Sequence, residues 1–176
     1  MPQVKFMAWV NRNDATDPGH LVMVMGNDVC LEYGWSDQEA SNQSTNVGTP
    51  VKAGGVTFTA KDLVVTQKAV AKNMELQKAK KRKGVTRFTH VITTELVDIT
   101  NEELAYLRKM AALRIAAGSY GFPKEWQVKD ALGARCLSSL EDLAVQRGQK
   151  LGVGTVPDLL QKFMDMNKLG YKLNKV

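Results

Sequence analysis

The densest chemical feature of the sequence is a run of cations at residues 78–83, where five of the six side chains are lysine or arginine. The run consists of Lys78, Lys80, Lys81, Arg82 and Lys83. Grouped cations neutralise phosphates, and each neutralised phosphate releases counterions, which supplies affinity for a polyanion. The negative end of a helix dipole needs only one or two such cations. The excess favours an anionic partner; a solvated helix end and a contact with a protein or membrane surface are the alternatives.

Neighbouring residues extend this run into a candidate nucleic-acid track. In a helix, residues three or four apart share a face, so Lys68, Lys72 and Lys83 lie roughly on one side. Arg87 adds a bidentate donor, and Phe88 adds a ring on which a base can stack. The predicted nucleic-acid-binding residues are Lys72, Lys78, Lys80, Lys81, Arg82, Lys83, Arg87 and Phe88. Because phosphate contacts do not read sequence, we expect low sequence specificity.

The charge of the chain is strongly localised. Residues 1–60 carry three Lys/Arg against six Asp/Glu, a net charge of −3. Residues 61–90 carry nine against two, a net charge of +7, and residues 91–176 carry twelve against ten, a net charge of +2. The net charge of +6 therefore reflects one basic patch in an otherwise balanced protein.

The histidines do not indicate a metal centre or a catalytic centre. His20 and His90 each lie in or beside a predicted strand, and neither has a carboxylate or thiol two or four residues further on. A zinc site needs three or four ligands at characteristic spacing. The acidic pairs at 102–103 and 141–142 fit the first turns of predicted helices, where the helix dipole accounts for them. We therefore predict no catalytic residue, metal or cofactor; an enzyme would require a pocket in which a histidine meets a carboxylate.

The two cysteines predict a reducing environment. Cys30 lies between Val29 and Leu31, Cys136 precedes Leu137, and neither has a second ligand at metal-binding spacing, so we interpret both as small buried hydrophobic residues. A disulfide between them has no support in the sequence. No basic leader with a cleavage site precedes the fold, and no stretch approaches 18 apolar residues, so we expect neither a signal peptide nor a membrane span. The expected location is the cytoplasm, another reducing intracellular compartment or a virus particle.

The secondary structure predicted before the basic run consists first of strands. Three short runs rich in Val, Met and aromatic residues, at 4–11, 20–25 and 29–35, are separated by Gly, Asn, Asp and Pro, a pattern typical of an antiparallel meander. Residues 36–50 are almost devoid of apolar side chains and predict an exposed loop. A capping pattern at Thr59 and Asp62 predicts a long basic helix that ends at Gly84. The β-branched residues of 85–99 then predict a strand or a pair of strands.

The remaining chain, from Thr100 onward, reads as helical. Three capping-box patterns predict helix starts at Thr100, Ser138 and Thr155. The corresponding helix ends are expected at Gly118, Gly148 and Gly170. A further helix is predicted from Pro123, with Trp126, Leu132 and Cys136 as its buried face. The fold class is therefore α+β with three to four C-terminal helices, in one domain over 1–176 or with residues 100–176 as a helical subdomain.

These observations favour a binding protein with no chemistry of its own over an enzyme. The first hypothesis is a protein that engages the backbone of a nucleic acid through the basic helix end. The alternative is a structural subunit of a larger assembly, such as a virus particle or a multiprotein complex. In that case the basic residues of the candidate track and loop 36–50 would contact neighbouring subunits or acidic protein surfaces, in a homo-oligomer or a larger assembly.

Overall fold

The computed structural model describes residues 2–25, 29–31, 33, 51–53, 56–58, 64–66, 88–117 and 134–175. Nine strands lie in these ranges: β1 Gln3–Val10, β2 His20–Met25, β3 Val29–Leu31, β4 Val51–Ala53, β5 Val56–Phe58, β6 Val64–Thr66, β7 His90–Thr94, β8 Val97–Asp98 and β9 Tyr171–Lys175. Three helices accompany them: α1 Asn101–Ala117, α2 Ser138–Gln146 and α3 Val156–Asn167. The protein is therefore a mixed α+β protein, as predicted.

The main sheet is antiparallel throughout, with strand order β6-β3-β2-β1-β7-β9. β8 pairs with β1 beside this path, and β4 and β5 form a separate two-stranded sheet. The pairings of β1 with β2 and of β2 with β3 confirm the N-terminal meander. β7 and β8 confirm the pair of strands predicted after residue 85.

Strand β1 shows why one face of the sheet carries the core. Its burial alternates with period two, so that Val4, Phe6, Ala8 and Val10 are buried and the residues between them are partly exposed. The ring of Phe6 packs edge-on against Phe163 of α3, with ring centroids 5.4 Å apart. The helices therefore cover this face of β1, and buried residues of α1, α2 and α3 join the same apolar cluster.

Local capping chemistry sets two of the helix starts as predicted. At α1, the side chain of Glu103 accepts from the backbone N–H of Thr100 at 2.9 Å, while the Thr100 hydroxyl accepts from the N–H of Glu103 at 3.0 Å. At α3, Thr155 and Asp158 form the same reciprocal pair. α2 also begins at the predicted Ser138, but its predicted capping box does not form, because the residue at its cap is Leu137 and no side chain caps it. The hydroxyl of Ser138 instead accepts from the backbone of Arg135.

A glycine with positive φ follows one of the helices, as predicted, but not another. After α2, Gly148 has φ +67°, and its N–H and that of Gln149 donate to the carbonyls of Val145 and Ala144. After α3, the left-handed residue is Lys168, with φ 55°, instead of the predicted Gly170. Gly170 lies at the entrance to β9, where an added Cβ would approach the carboxylate of Glu95 to 2.6 Å.

Two strands of the described chain were not predicted. Val64–Thr66 lies within the predicted basic helix but forms β6, paired with β3, because β-branched side chains favour the pleated conformation. The other residues of that predicted helix, 59–63 and 67–83, lie outside the described residues. Tyr171–Lys175, which follows the helix end expected at Gly170, forms strand β9 on β7.

Two further predictions lie wholly or mostly outside the described residues. The polar loop 36–50 is one of them. The helix predicted from Pro123 is the other, except for its end, where Cys136 lies in a turn and is buried as expected.

We predict that Gly19→Ala destabilises the fold more than Gly148→Ala. Both glycines have positive φ, which costs another residue about 1 kcal/mol. At Gly19 the new methyl group would also lie 3.1 Å from the Trp9 carbonyl oxygen and from Val156 Cβ, whereas at Gly148 nothing lies within 4 Å. Overpacking adds about 1–3 kcal/mol at Gly19 only. Urea unfolding of both variants measures the difference, and equal losses would contradict the packing described for Gly19.

Candidate functional site

Most of the predicted nucleic-acid site lies outside the described residues. This applies to Lys72, Lys78, Lys80, Lys81, Arg82, Lys83 and Arg87. Phe88 is described, and its side chain is buried with 8% of its surface exposed. A ring buried to this extent offers little surface to a base. Its placement is typical of a residue that anchors the chain at the point where it enters β7.

The described strands bracket the basic segment, defined here as residues 67–87. β6 ends at Thr66, and Phe88 leads into β7. Four antiparallel pairings separate β6 from β7 in the sheet, so the two strands run in the same direction. The end of β6 and the start of β7 therefore lie at opposite ends of the sheet, roughly 19 Å apart across the strands at a spacing of about 4.8 Å. Both ends of the basic segment are held by one sheet.

Two exposed cations that the sequence reading missed lie where the basic segment enters the sheet. The backbone N–H of Arg12 donates to the hydroxyl of Thr89 at 3.0 Å, and the N–H of Thr89 donates to the carbonyl of Val10 at 2.9 Å. His90 pairs with Lys175 across β7 and β9. Arg12 and Lys175 are both exposed. Their sequence distance from residue 87 hides this proximity, because it arises only from strand pairing.

Two carboxylates share this end of the sheet with those cations. They lie in the turn between β1 and β2, where Asp14 accepts from the backbone N–H and the hydroxyl of Thr16 at 2.9 and 2.6 Å. Asp17 is buried and accepts from the N–H of Gly19 at 2.9 Å. Both carboxylates therefore help to shape the turn that they belong to.

A buried ion pair joins α1 to α2. Arg114 donates from Nη2 and Nε to the two carboxylate oxygens of Asp142 at 2.6 and 3.0 Å, and both side chains are less than a tenth exposed. Burial lowers the pKa of Arg114, but the hydrogen bonds and the charge of Asp142 outweigh this effect and raise it. Burial raises the pKa of Asp142, although the hydrogen bonds and the charge of Arg114 oppose this effect. The buried contact, in which two nitrogens bind both carboxylate oxygens, fits a structural role.

Tyr33 lies close to this ion pair. Its side chain is almost fully buried, and its hydroxyl makes no hydrogen bond within the part of the chain that the structure describes. Burial, followed by the charge of Asp142, raises the pKa of Tyr33, so the hydroxyl stays neutral. A buried hydroxyl that lacks a hydrogen bond costs about 1–3 kcal/mol.

Arg147 links three elements beyond the C-terminus of α2. Its guanidinium donates to the Glu103 carboxylate at 2.7 Å, to the backbone carbonyl of Asp98 at 2.7 Å and to the side chain of Asn167 at 2.8 Å. Burial raises the pKa of Glu103, but the hydrogen bonds from Arg147 and Thr100 outweigh it, so the pKa lies below its ordinary value. Arg147 thus holds α1, β8 and α3 together.

A third arginine–carboxylate pair lies at the start of α2. Arg135 donates from Nε to Glu141 at 2.7 Å, with a second contact between Nη2 and the other carboxylate oxygen. In all three pairs an arginine and a carboxylate from residues 91–176 bind each other. These three carboxylates are therefore engaged by arginines of their own half of the chain.

The described histidines show contacts suited to structural side chains. The ring of His20 lies 6.1 Å from that of Trp9, and Nδ1 of His90 lies 2.8 Å from the hydroxyl of Thr89. Within the described ranges, no group of three or more His, Cys, Asp and Glu side chains is placed to hold a metal ion.

We predict that Asp142→Asn destabilises the protein by about 3–5 kcal/mol, because it leaves the Arg114 guanidinium buried without its counter-charge. The double variant Arg114→Met with Asp142→Leu removes both charges and is expected to recover most of this loss. Urea denaturation of the single and double variants measures the coupling. A small loss in the single variant would show that the pair is not buried as described.

We predict that the contribution of Glu103 is lost in acid. A carboxylate with a lowered pKa in the folded state stabilises the protein fully above its ordinary pKa of 4.5, and this contribution disappears as the pH falls through the lower folded value. Glu103→Gln retains the capping-box acceptor but not the charge, so it should cost about 1–2 kcal/mol at pH 7 and much less at pH 3. Glu102→Gln, at an exposed neighbouring position, is the control and should show little pH dependence. A pH-independent loss in Glu103→Gln would contradict the ionic role.

No protein-family model, curated protein or solved structure matches this chain. None of the helices in the described ranges is long and apolar enough to cross a membrane. The function must therefore be inferred from the charges and geometry of the chain itself.

Proposed function

We propose that this protein binds the sugar-phosphate backbone of nucleic acids through its basic segment, without catalysis and with little sequence preference. The observation that carries the proposal is the net charge of +7 in residues 61–90, in a chain whose other residues sum to −1. A concentration of positive charge on this scale attracts a polyanion by releasing its counterions.

The ion pairs of the described carboxylates support the proposal that the basic segment binds a negatively charged partner. Three of the described carboxylates, those of Glu103, Glu141 and Asp142, each bind an arginine from residues 91–176. Residues 67–87 contain one acidic residue, Glu75, against eight lysines and arginines. Their mutual repulsion would be relieved by phosphates, which offer several negatively charged oxygens in a regular row.

The anchoring of the segment supports the same proposal. Both of its ends join strands of a single sheet, so the cations would be presented on a framework and would not trail from a free end. Arg12 and Lys175 lie beside one of these ends and can extend the contact. A phosphate track of this kind positions a nucleic acid but does not discriminate between sequences.

A structural subunit of a larger assembly is the second candidate. The observation that favours it is the sheet edge at β9, with which no further strand of the described ranges pairs and where Tyr171 and Leu173 are 50% and 38% exposed. In this case the basic segment and loop 36–50 would meet acidic surfaces of neighbouring subunits in place of phosphates. Nuclease treatment of a native lysate before capture separates the candidates, because only a nucleic-acid-mediated complex would be lost.

We predict that binding to a fluorescent 30-nucleotide single strand and a 30-base-pair duplex weakens steeply with salt. Five phosphate contacts would give a slope of log K against log salt of about −4.5 on the duplex. The variant Lys80→Glu, Lys81→Glu, Lys83→Glu should bind at least tenfold more weakly at 50 mM salt. Fluorescence anisotropy measures both effects.

The matched control reverses the same number of charges elsewhere. Arg108, Lys109 and Lys150 are exposed residues of the described part, and changing all three to Glu shifts the net charge equally. Retained binding in this control, with loss in the segment variant, supports the basic segment as the site. Equal loss in both variants would reduce the effect to overall charge, and no binding of either nucleic acid at low salt would overturn the proposal.

A further inference from the structure

Strand β9 presents an unpaired sheet edge. It is the last strand of the path β6-β3-β2-β1-β7-β9, and no strand within the described ranges pairs with its outer side. All five of its residues are exposed. An exposed edge displays backbone donors and acceptors that another strand can satisfy.

The pairing of β9 with β7 decides which backbone groups point outward. The N–H of Glu95 donates to the carbonyl of Gly170 at 2.9 Å, immediately before the pairing of Thr94 with Tyr171. Hydrogen-bonded pairs alternate along an antiparallel ladder. Lys172 and Asn174 therefore direct their backbone groups toward β7. The residues that direct theirs away from the sheet are Tyr171, Leu173 and Lys175.

We propose that β9 pairs antiparallel with β9 of a second copy of this chain, with Leu173 opposite Leu173 across a twofold axis. In this register Tyr171 lies opposite Lys175 of the other copy, and Lys175 opposite Tyr171. Every outward residue then meets an outward residue, which gives three hydrogen-bonded pairs with two hydrogen bonds in each. The interface is self-complementary, as a twofold contact requires.

Other registers of the same strand are poorer. A shift of one residue sets outward backbone groups against inward ones, so the ladder cannot form. A shift of two residues in one direction places Lys172 directly opposite Lys172, and like charges in that position are destabilising. A shift of two in the other direction leaves only two hydrogen-bonded pairs. The Leu173-centred register instead places Lys172 opposite the neutral amide of Asn174.

The side chains of β9 are also suited to pairing with β9 of a second copy. Tyr171, Leu173 and Lys175 lie on the face of the sheet that also carries Ile92, a partly buried residue that packs against the core. Pairing would bring the two exposed Leu173 side chains into contact and lay each Tyr171 ring beside the aliphatic stem of the opposite Lys175. Lysines commonly protect edge strands from association. In this register the lysines of the edge oppose no like charge.

The expected association is weak, because one short strand pair buries less than about 1,200 Å². Sedimentation velocity on nuclease-treated protein, from about 5 to 500 μM at 0.3 M salt, should show a monomer converting to a dimer. Leu173→Asp and Leu173→Lys each place like charges at the twofold axis and should each remain monomeric at all these concentrations. Leu173 is partly exposed, so both variants are expected to fold, which circular dichroism checks.

A mixture of the two variants provides the decisive test. Asp and Lys at position 173 of different copies attract each other, so the mixture should dimerise although neither variant does so alone. Val153→Asp, at a position that is 55% exposed on another surface, is the control and should dimerise like the unchanged protein. A wild-type monomer at 500 μM, dimerisation of either single variant, or failure of the mixture to associate would each overturn the proposal. None of these outcomes depends on nucleic-acid binding.

Discussion

The pairing of β1 with β7 is the constraint on which the rest of the architecture depends. It aligns Met7 with Thr93 and Val10 with His90, and the Phe6 N–H adds a buried bond of 2.9 Å to the hydroxyl of Thr94. This contact joins residues that are 80 to 86 positions apart in the chain, so it is entropically costly to form and must be supported by the core on its covered face. Through it, the N-terminal meander is joined to β9 and to the point where the basic segment re-enters the sheet.

The C-terminal half contributes arginine–carboxylate ion pairs as well as apolar surface. Arg114, Arg135 and Arg147 each bind a carboxylate of the C-terminal half, and Arg147 also holds a backbone carbonyl of β8. Guanidinium groups suit this role because their planar fork can bind two carboxylate oxygens at once. The lysines of the basic segment have only point charges, which are better suited to exchanging partners along a phosphate chain. The arginine–carboxylate pairs of residues 91–176 and the lysine-rich basic segment therefore differ in the kind of contact that their cations favour.

What could be predicted from sequence was local. The strand at residues 4–11 and the reciprocal caps at Thr100 and Thr155 were predicted from neighbouring residues, and the structure confirms them. The failures are non-local. β6 was predicted as part of a helix, and β9 was not predicted as a strand; both are short and pair with strands distant in sequence. Within the candidate site, Arg12 and Lys175 escaped notice for the same reason, whereas the lysine run was visible because it is contiguous.

Salt acts in opposite directions on contacts between lysines and phosphates and on the pairing of two β9 edges. Contacts between lysines and phosphates weaken as salt rises, because released counterions gain less entropy. Pairing of two β9 edges depends on backbone hydrogen bonds and apolar contacts, while the positive net charge of each copy opposes it. Salt screens that repulsion over a Debye length of about 8 Å at 0.15 M and about 3 Å at 1 M. Edge pairing is therefore favoured at ionic strengths where nucleic-acid binding fades, which makes the two behaviours separable in the intact protein.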